Sequence, residues 1–303
     1  MEIVGVLSNQ IVMMFLLMTV GVFLFKTNKL NLEGSRSIGN ILLYVVIPAV
    51  VIKAYLSEKT EDAIIALGLS FVLSLVALAV AMLVSSFCFK KYPIENFGAA
   101  FSNAGFIGIP IVSILYGDQA VFYVSAFVAF VNIFQWTYGV WVLTGNTKSV
   151  TIQNLISNPF IISLMIGLCI WMTGLSLPNP IHRCIESFAN LNAPLAMLSL
   201  GTYLAQVPFK EVFLSRESWL ATIVRLVIIP FITLIIFSII PIQNEMLKTA
   251  LLIVAATPIG SNVAIFAQLY DKDYSQAVKD VCLSTLCCIV TLPIMMMVIQ
   301  LLW

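Results

Sequence analysis

The sequence predicts an all-α polytopic membrane protein of ten transmembrane helices, arranged as two inverted five-helix repeats with broken fourth and ninth helices. Three observations carry that prediction. Of 303 residues, 61% are hydrophobic and only 10% charged, too few charges to cover a soluble domain of this size. The mean hydropathy of +1.05 agrees. Apolar runs of about 20 residues, the length a helix needs to cross a bilayer, recur from end to end. The connections between the runs are short and leave no room for a soluble domain. A net charge of +1 gives no sign of a nucleic-acid partner.

The ten spans run near 4–25, 36–56, 63–88, 97–116, 119–144, 158–177, 187–207, 217–240, 246–270 and 275–302. Span 1 is read as a membrane helix rather than a signal peptide. Glu2 stands where a basic segment belongs, and the apolar run to Phe25 is too long. Span 2 holds "YVVIPAVVI", span 3 is uninterrupted, and span 4 holds "NAGFIGIPIVSILYG". Span 5 carries Asn132 and Gln135, and the longest polar piece, "GNTKSVTIQNLISNP", follows it. Span 7 holds "NAPLAMLSLG", span 8 "WLATIVRLVIIP", and span 9 "AATPIGSNVAIFAQLY". The six cysteines show neither a disulfide framework nor a CxxC metal spacing, and five of them are read as small buried hydrophobes.

Lysine and arginine orient the spans. Lys26, Lys29, Arg36, Lys90, Lys91, Lys148, Lys210, Arg216, Lys272 and Lys279 fall on one side, and Lys53, Lys59, Arg183 and Lys248 on the other. The richer side is assigned to the cytoplasm, so both termini face outward. Five spans precede the central loop, so the halves 1–150 and 151–303 enter from opposite sides. Spans 4 and 9 occupy matching places, each with Gly and Pro in mid-span and a tyrosine (Tyr116, Tyr270) near the end. Paired interruptions in inverted halves point to a secondary transporter's binding site.

The chemistry of such breaks is simple. Pro110 lacks an amide hydrogen and its ring crowds the carbonyl of Phe106, while Gly105 and Gly108 loosen the turn. Pro258 and Gly260 act alike in span 9. Freed backbone groups must be buried in protein or line a wet cavity. Half-helix N-termini there would offer amide donors and partial positive charge to an anion. Asn103, Thr257, Ser261 and Asn262 stand beside the breaks. The competing reading is an ordinary packing kink.

Arg225 is the clearest charge set inside a span. It either snorkels to the interface, pairs with helix ends, or raises the potential for an anion. Asn132 and Gln135 are interhelical hydrogen-bonding groups or part of a site wall. Asp280, beside Lys279, is read as interfacial. No Asp or Glu sits at the centre of a span, which disfavours a carboxylate proton relay, and His182 is read as a solvated loop residue. No HExxH, nucleophile–His set or phosphate loop is present, so no enzymatic activity and no cofactor are expected.

"FSNAGFIGIPIVSILYG", "AATPIGSNVAIFAQLYDKD", "STLCCIVTLPIMMM", "RLVIIP" and "SNPFIISLMIGL" together resemble the auxin efflux carrier family, plant auxin carriers and bacterial organic-acid carriers among them. The similarity extends over nearly the whole chain. It implies a ten-helix inverted-repeat fold related to bile acid/sodium symporters, with helices 4 and 9 crossing at a substrate site. It implies helices 1, 2, 6 and 7 as a dimeric scaffold against which helices 3–5 and 8–10 move in an elevator-like step. Carried over by motif, its site residues are Asn103, Pro110, Pro258 and Asn132. The short central loop matches bacterial members. Ser261 and Asn262 depart from the plant pattern and favour a small polar carboxylate over an indole-type acid.

The expected function is therefore secondary transport of a small organic anion in the cell membrane. A sodium-coupled symporter for a larger anion and a non-transporting ligand sensor are the alternatives.

Overall fold

The computed structural model describes residues 2–57, 60–146 and 157–303. Most of the central polar connection, with Lys148, and Lys59 lie outside the described residues. Every regular element among them is helical: α1 (Glu2–Lys26), α2 (Leu32–Ala54), α3 (Glu61–Cys88), α4 (Pro93–Ala100) and α5 (Ala104–Thr144), then α6 (Pro159–Thr173) and α7 (Asn179–Ala189). They continue as α8 (Asn192–Gln206), α9 (Phe209–Leu214), α10 (Arg216–Ile239), α11 (Glu245–Ala255), α12 (Asn262–Leu269) and α13 (Tyr274–Leu302). Six of them, α1, α2, α3, α5, α10 and α13, are long and apolar enough to cross a membrane, and α6 is a shorter apolar helix. The chain is a polytopic membrane protein.

Spans 1, 2, 3, 8 and 10 fall on single helices. Helix α5 is 41 residues long and bends at Gly117, whose φ of 74° and ψ of −169° suit glycine alone. Its two arms correspond to the end of span 4 and to span 5. The rest of span 4 is α4, and span 9 is divided into α11 and α12. Span 7 begins later than expected, at Asn192, because α7 forms a separate helix packed on the second half of α2.

Polar residues fix the helix starts. Asn31 accepts from the Gly34 amide at 2.8 Å to cap α2, and Asn244 accepts from Leu247 at 2.9 Å to cap α11. Asp273 does the same for α13, accepting from Gln276 at 3.0 Å. Each satisfies an amide that a helix start otherwise leaves open.

The prolines behave differently from the sequence expectation. Pro48, Pro110 and Pro230 each follow a five-residue wide turn, at Leu42–Val46, Ala104–Gly108 and Val224–Ile228. In these turns the amides of Ile47, Ile109 and Ile229 reach back five residues to the carbonyls of Leu42, Ala104 and Val224. The widened turn makes room for the proline ring, so the helix continues through it. Pro110 is therefore not where span 4 breaks.

Helices α1 and α8 pack closely through glycine. A methyl on Gly21 would overlap the carbonyl of Leu198, and one on Gly201 would overlap that of Met18. Such small-residue contacts let membrane helices approach backbone to backbone. Cys88 and Cys169 are exposed, not buried as expected, on apolar helices whose outer faces suit lipid.

Candidate functional site

The helix breaks lie at Phe101–Asn103 and Ala256–Ser261, where two short extended segments cross and pair. The Asn103 amide donates to the Pro258 carbonyl at 2.7 Å, and the Gly260 amide donates to Phe101 at 3.0 Å. Ser102 and Ile259 face each other as an antiparallel bridge. The pairing needs Gly260, because a Cβ there would stand 3.2 Å from the Ser102 oxygen and 3.3 Å from that of Phe101. Beneath the crossing, the Ile259 amide donates to Ser284 Oγ of α13 at 3.1 Å.

Four half-helix ends meet here, and they are treated unequally. Helices α4 and α11 arrive with their C-terminal ends. Arg225 of α10, 1% exposed, donates from Nε to the Thr257 carbonyl at 3.2 Å. Its Nη1 donates to Ala99 at 3.0 Å and to Ala100 at 3.4 Å. One guanidinium thus offsets the negative ends of two helix dipoles. Helices α5 and α12 leave with their N-terminal ends. There the amides of Ala104, Gly105, Phe106, Ser261 and Asn262 have no hydrogen-bond acceptor among the described residues.

A cavity of about 430 Å³ opens onto those N-terminal ends. It is lined by Asn103, Gly105, Asn132, Gln135, Gly260, Ser261 and Asn262, all expected site residues. Asn103 is 5% exposed and its Nδ2 has no partner among the described residues, nor has Ser102 Oγ. The neighbouring amides hold one another: Asn262 donates to Gln135 Oε1 at 2.8 Å, and Asn158 donates to Asn132 Oδ1 at 3.2 Å. The Asn158 oxygen meanwhile caps α6, accepting from Phe160 at 2.9 Å. Asn132 and Gln135 therefore line the cavity and also tie helices together.

Four expected site residues do not line the cavity. Gly108 is a packing position, where a Cβ would stand 2.9 Å from Val254 Cγ1. Pro110 follows the wide turn on the same arm. Thr257 turns its hydroxyl to the Val254 carbonyl at 2.8 Å and offers only its own carbonyl, to Arg225. Pro258 contributes the carbonyl that receives Asn103. These residues build the crossing from behind.

Asp280 is fully buried within the protein, and its Oδ1 accepts from Ser218 at 2.6 Å and Gln276 at 2.9 Å. A carboxylate is therefore enclosed within α13, about 9 Å from its start at 1.5 Å per residue. Lys279 turns away to Glu211, 3.1 Å distant. Sequence reading also missed the cavity face of α2 and α8. Ser35, Arg36 and Asn40 recur at helical spacing on α2, as do Ser199, Tyr203 and Gln206 on α8. That periodic polar stripe in an apolar span was the available signal.

Over residues 6–155 and 146–296 the chain matches the family model described as membrane transport protein. It is 20% identical over 274 residues to a Rhizobium meliloti protein named "Putative malonate transporter", covering 86% of this chain and 85% of that one. It is 22% identical over 293 residues to an uncharacterized transporter of Methanocaldococcus jannaschii, covering 91% and 94% respectively. With the matched model spanning nearly the whole chain, this protein belongs to the membrane transport protein family, that of the auxin efflux carriers its motifs resemble.

Proposed function

We propose that the protein is a secondary carrier for small organic anions, with the substrate held by the N-terminal ends of α5 and α12. One observation carries this reading: Arg225 occupies the two C-terminal helix ends, leaving unpartnered amides and positive dipole ends facing the cavity. Such an end suits a carboxylate. Asn103, with its free Nδ2, supplies a further donor, and Asn132, Gln135, Ser261 and Asn262 complete the wall. The cavity volume falls within the range of about 300–1,000 Å³ usual for small-molecule sites. The relative named for malonate supports a short dicarboxylate.

In this proposal the ten spans form two inverted five-helix repeats, 1–150 and 151–303, related across the crossing. Spans 1, 2, 6 and 7 are the scaffold of a homodimer, and the remaining spans carry the substrate in an elevator-like step. The cavity extends toward Arg36, Gln206 and Tyr274, neighbours of the lysine-rich connections, and so represents a cytoplasm-facing state. The protein sits in the cell membrane with both termini outside.

The test is uptake of labelled acetate, malonate, succinate and citrate into proteoliposomes, with and without sodium. Saturable uptake by wild type that falls at least tenfold in Asn103→Ala supports the reading. Uptake that survives Asn103→Ala unchanged removes the site assignment, and uptake that requires sodium identifies a symporter.

A further inference from the structure

The cavity is deeper than the crossing needs. Ile47 of α2 lies level with the crossing, its Cδ1 3.8 Å from where a Cβ on Gly105 would stand. Arg36, also on the cavity wall, lies eleven residues earlier, about 16 Å away along the axis at 1.5 Å per residue. The far end is also polar, lined by Arg36, Asn40, Tyr203, Gln206, Gln268 and Tyr274. These side chains belong to four different elements, so a ligand there would be enclosed from several sides.

Charge distinguishes this end from the inner one. Arg36 is the one charged residue lining the cavity, and it makes no ion pair among the described residues. Its surroundings are set by neutral bonds. Tyr274 donates to Gln206 Oε1 at 2.7 Å, and Gln206 Nε2 donates to the Thr202 carbonyl at 3.0 Å. Ser35, next to Arg36, is hydrogen-bonded to Thr202, which ties α2 to α8 at this level. The guanidinium is thus carried on a fixed helix and left without an anion.

We propose that Arg36 forms an outer carboxylate subsite, separate from the site at the crossing and occupied first by anions arriving from the Arg36 side. This rests on the organic-anion reading given above. An unpaired arginine at the mouth of a cavity concentrates anions there. Its planar fork matches a carboxylate with two parallel hydrogen bonds, which a lysine cannot reproduce. A short dicarboxylate cannot bridge about 16 Å, so the two subsites bind separate molecules. Because Arg36 is exposed, its attraction is screened as the Debye length falls from about 30 Å at 0.01 M salt to about 8 Å at 0.15 M.

Equilibrium dialysis of labelled acetate, malonate, succinate and citrate against the purified protein tests this. At about 0.01 M ionic strength the wild type should bind two malonates per chain, and the weaker event should fade by about fivefold or more at 0.15 M. Arg36→Gln should keep one malonate, with little salt dependence. Arg36→Lys should keep two, the outer one weakened, and Asn103→Ala should keep only the salt-sensitive one. Two salt-sensitive events that survive Arg36→Gln, or a single event that Arg36→Gln leaves unchanged, overturn the outer subsite and leave the carrier reading intact. A wild type that binds none of the four acids overturns the organic-anion reading and the subsite with it.

Discussion

Replacing Arg225 with methionine tests how the crossing is held. The arginine makes two hydrogen bonds of good length, 3.2 Å to Thr257 and 3.0 Å to Ala99, and a longer one of 3.4 Å to Ala100. A hydrogen bond to a charged group contributes about 1.5–3 kcal/mol, so the two good bonds amount to about 3–6 kcal/mol. Methionine fills much of the vacated volume but offers the three carbonyls nothing. Its apolar burial returns part of the loss, leaving a net cost of about 3 kcal/mol. That is a large share of a total stability of about 5–15 kcal/mol. Arg225→Lys should fall between, since one ammonium on a flexible stem cannot serve carbonyls of two helices in a fixed fork. Unfolding in mixed micelles, followed by denaturant titration, should rank wild type above Arg225→Lys and Arg225→Met lowest. Carboxylate flux should follow the same order. An Arg225→Met protein as stable as wild type, with unchanged flux, would refute the argument that this residue holds the helix ends together.

Three other substitutions probe the surrounding structure. Gly260→Ala should cost about 1–3 kcal/mol and reduce flux, because its Cβ would press on two backbone oxygens at 3.2 and 3.3 Å; melting temperature and uptake together check this. Gly201→Val should lower the melting temperature sharply by forcing α8 off the Met18 carbonyl of α1, whereas the same change at Gly39, which faces open space, should not. Asp280→Asn keeps an acceptor for Ser218 and Gln276 and removes a buried acid that no described cation pairs with, so it should melt at or above wild type. Asp280→Ala removes the acceptor shared by Ser218 and Gln276, leaves them only their bonds to Ser215 and to each other, and should melt lower, by about 1–3 kcal/mol in a denaturant titration.

Long elements were legible in the sequence because lipid imposes a length and a composition on them. Spans 1, 2, 3, 8 and 10 needed nothing more. The paired Gly and Pro signals led to the right segments, and in span 9 to residues of the break itself, but not in span 4. Pro110 is conspicuous, yet a wide turn absorbs it, while the break falls seven residues earlier in "FSN", where a short polar pair carries a weaker signal. Pro258 does stand in the break, because Ile259 and Gly260 must lie extended against Phe101–Asn103. Arg225 could be singled out for its depth, but its choice among three roles depended on which carbonyls came near. That choice is a tertiary fact, set by contacts with Thr257, 32 positions away, and with Ala99 and Ala100, 126 and 125 positions away. The burial of Asp280 within the protein is tertiary in the same way: it rests on Ser218, 62 positions away. The polar stripe of α2 was overlooked because Arg36 also fits the cytoplasmic charge bias.

The most direct measurement is a structure of the protein with whichever carboxylate gives saturable, Asn103-dependent uptake. A carboxylate group should lie within about 2.7–3.2 Å of the free amides at Gly105–Phe106 and Ser261–Asn262, with Asn103 Nδ2 as a further donor. Arg225 should keep its bonds to Ala99 and Thr257. A carboxylate found on Arg225 itself, with those carbonyls released, or bound away from both helix N-termini, would contradict this placement.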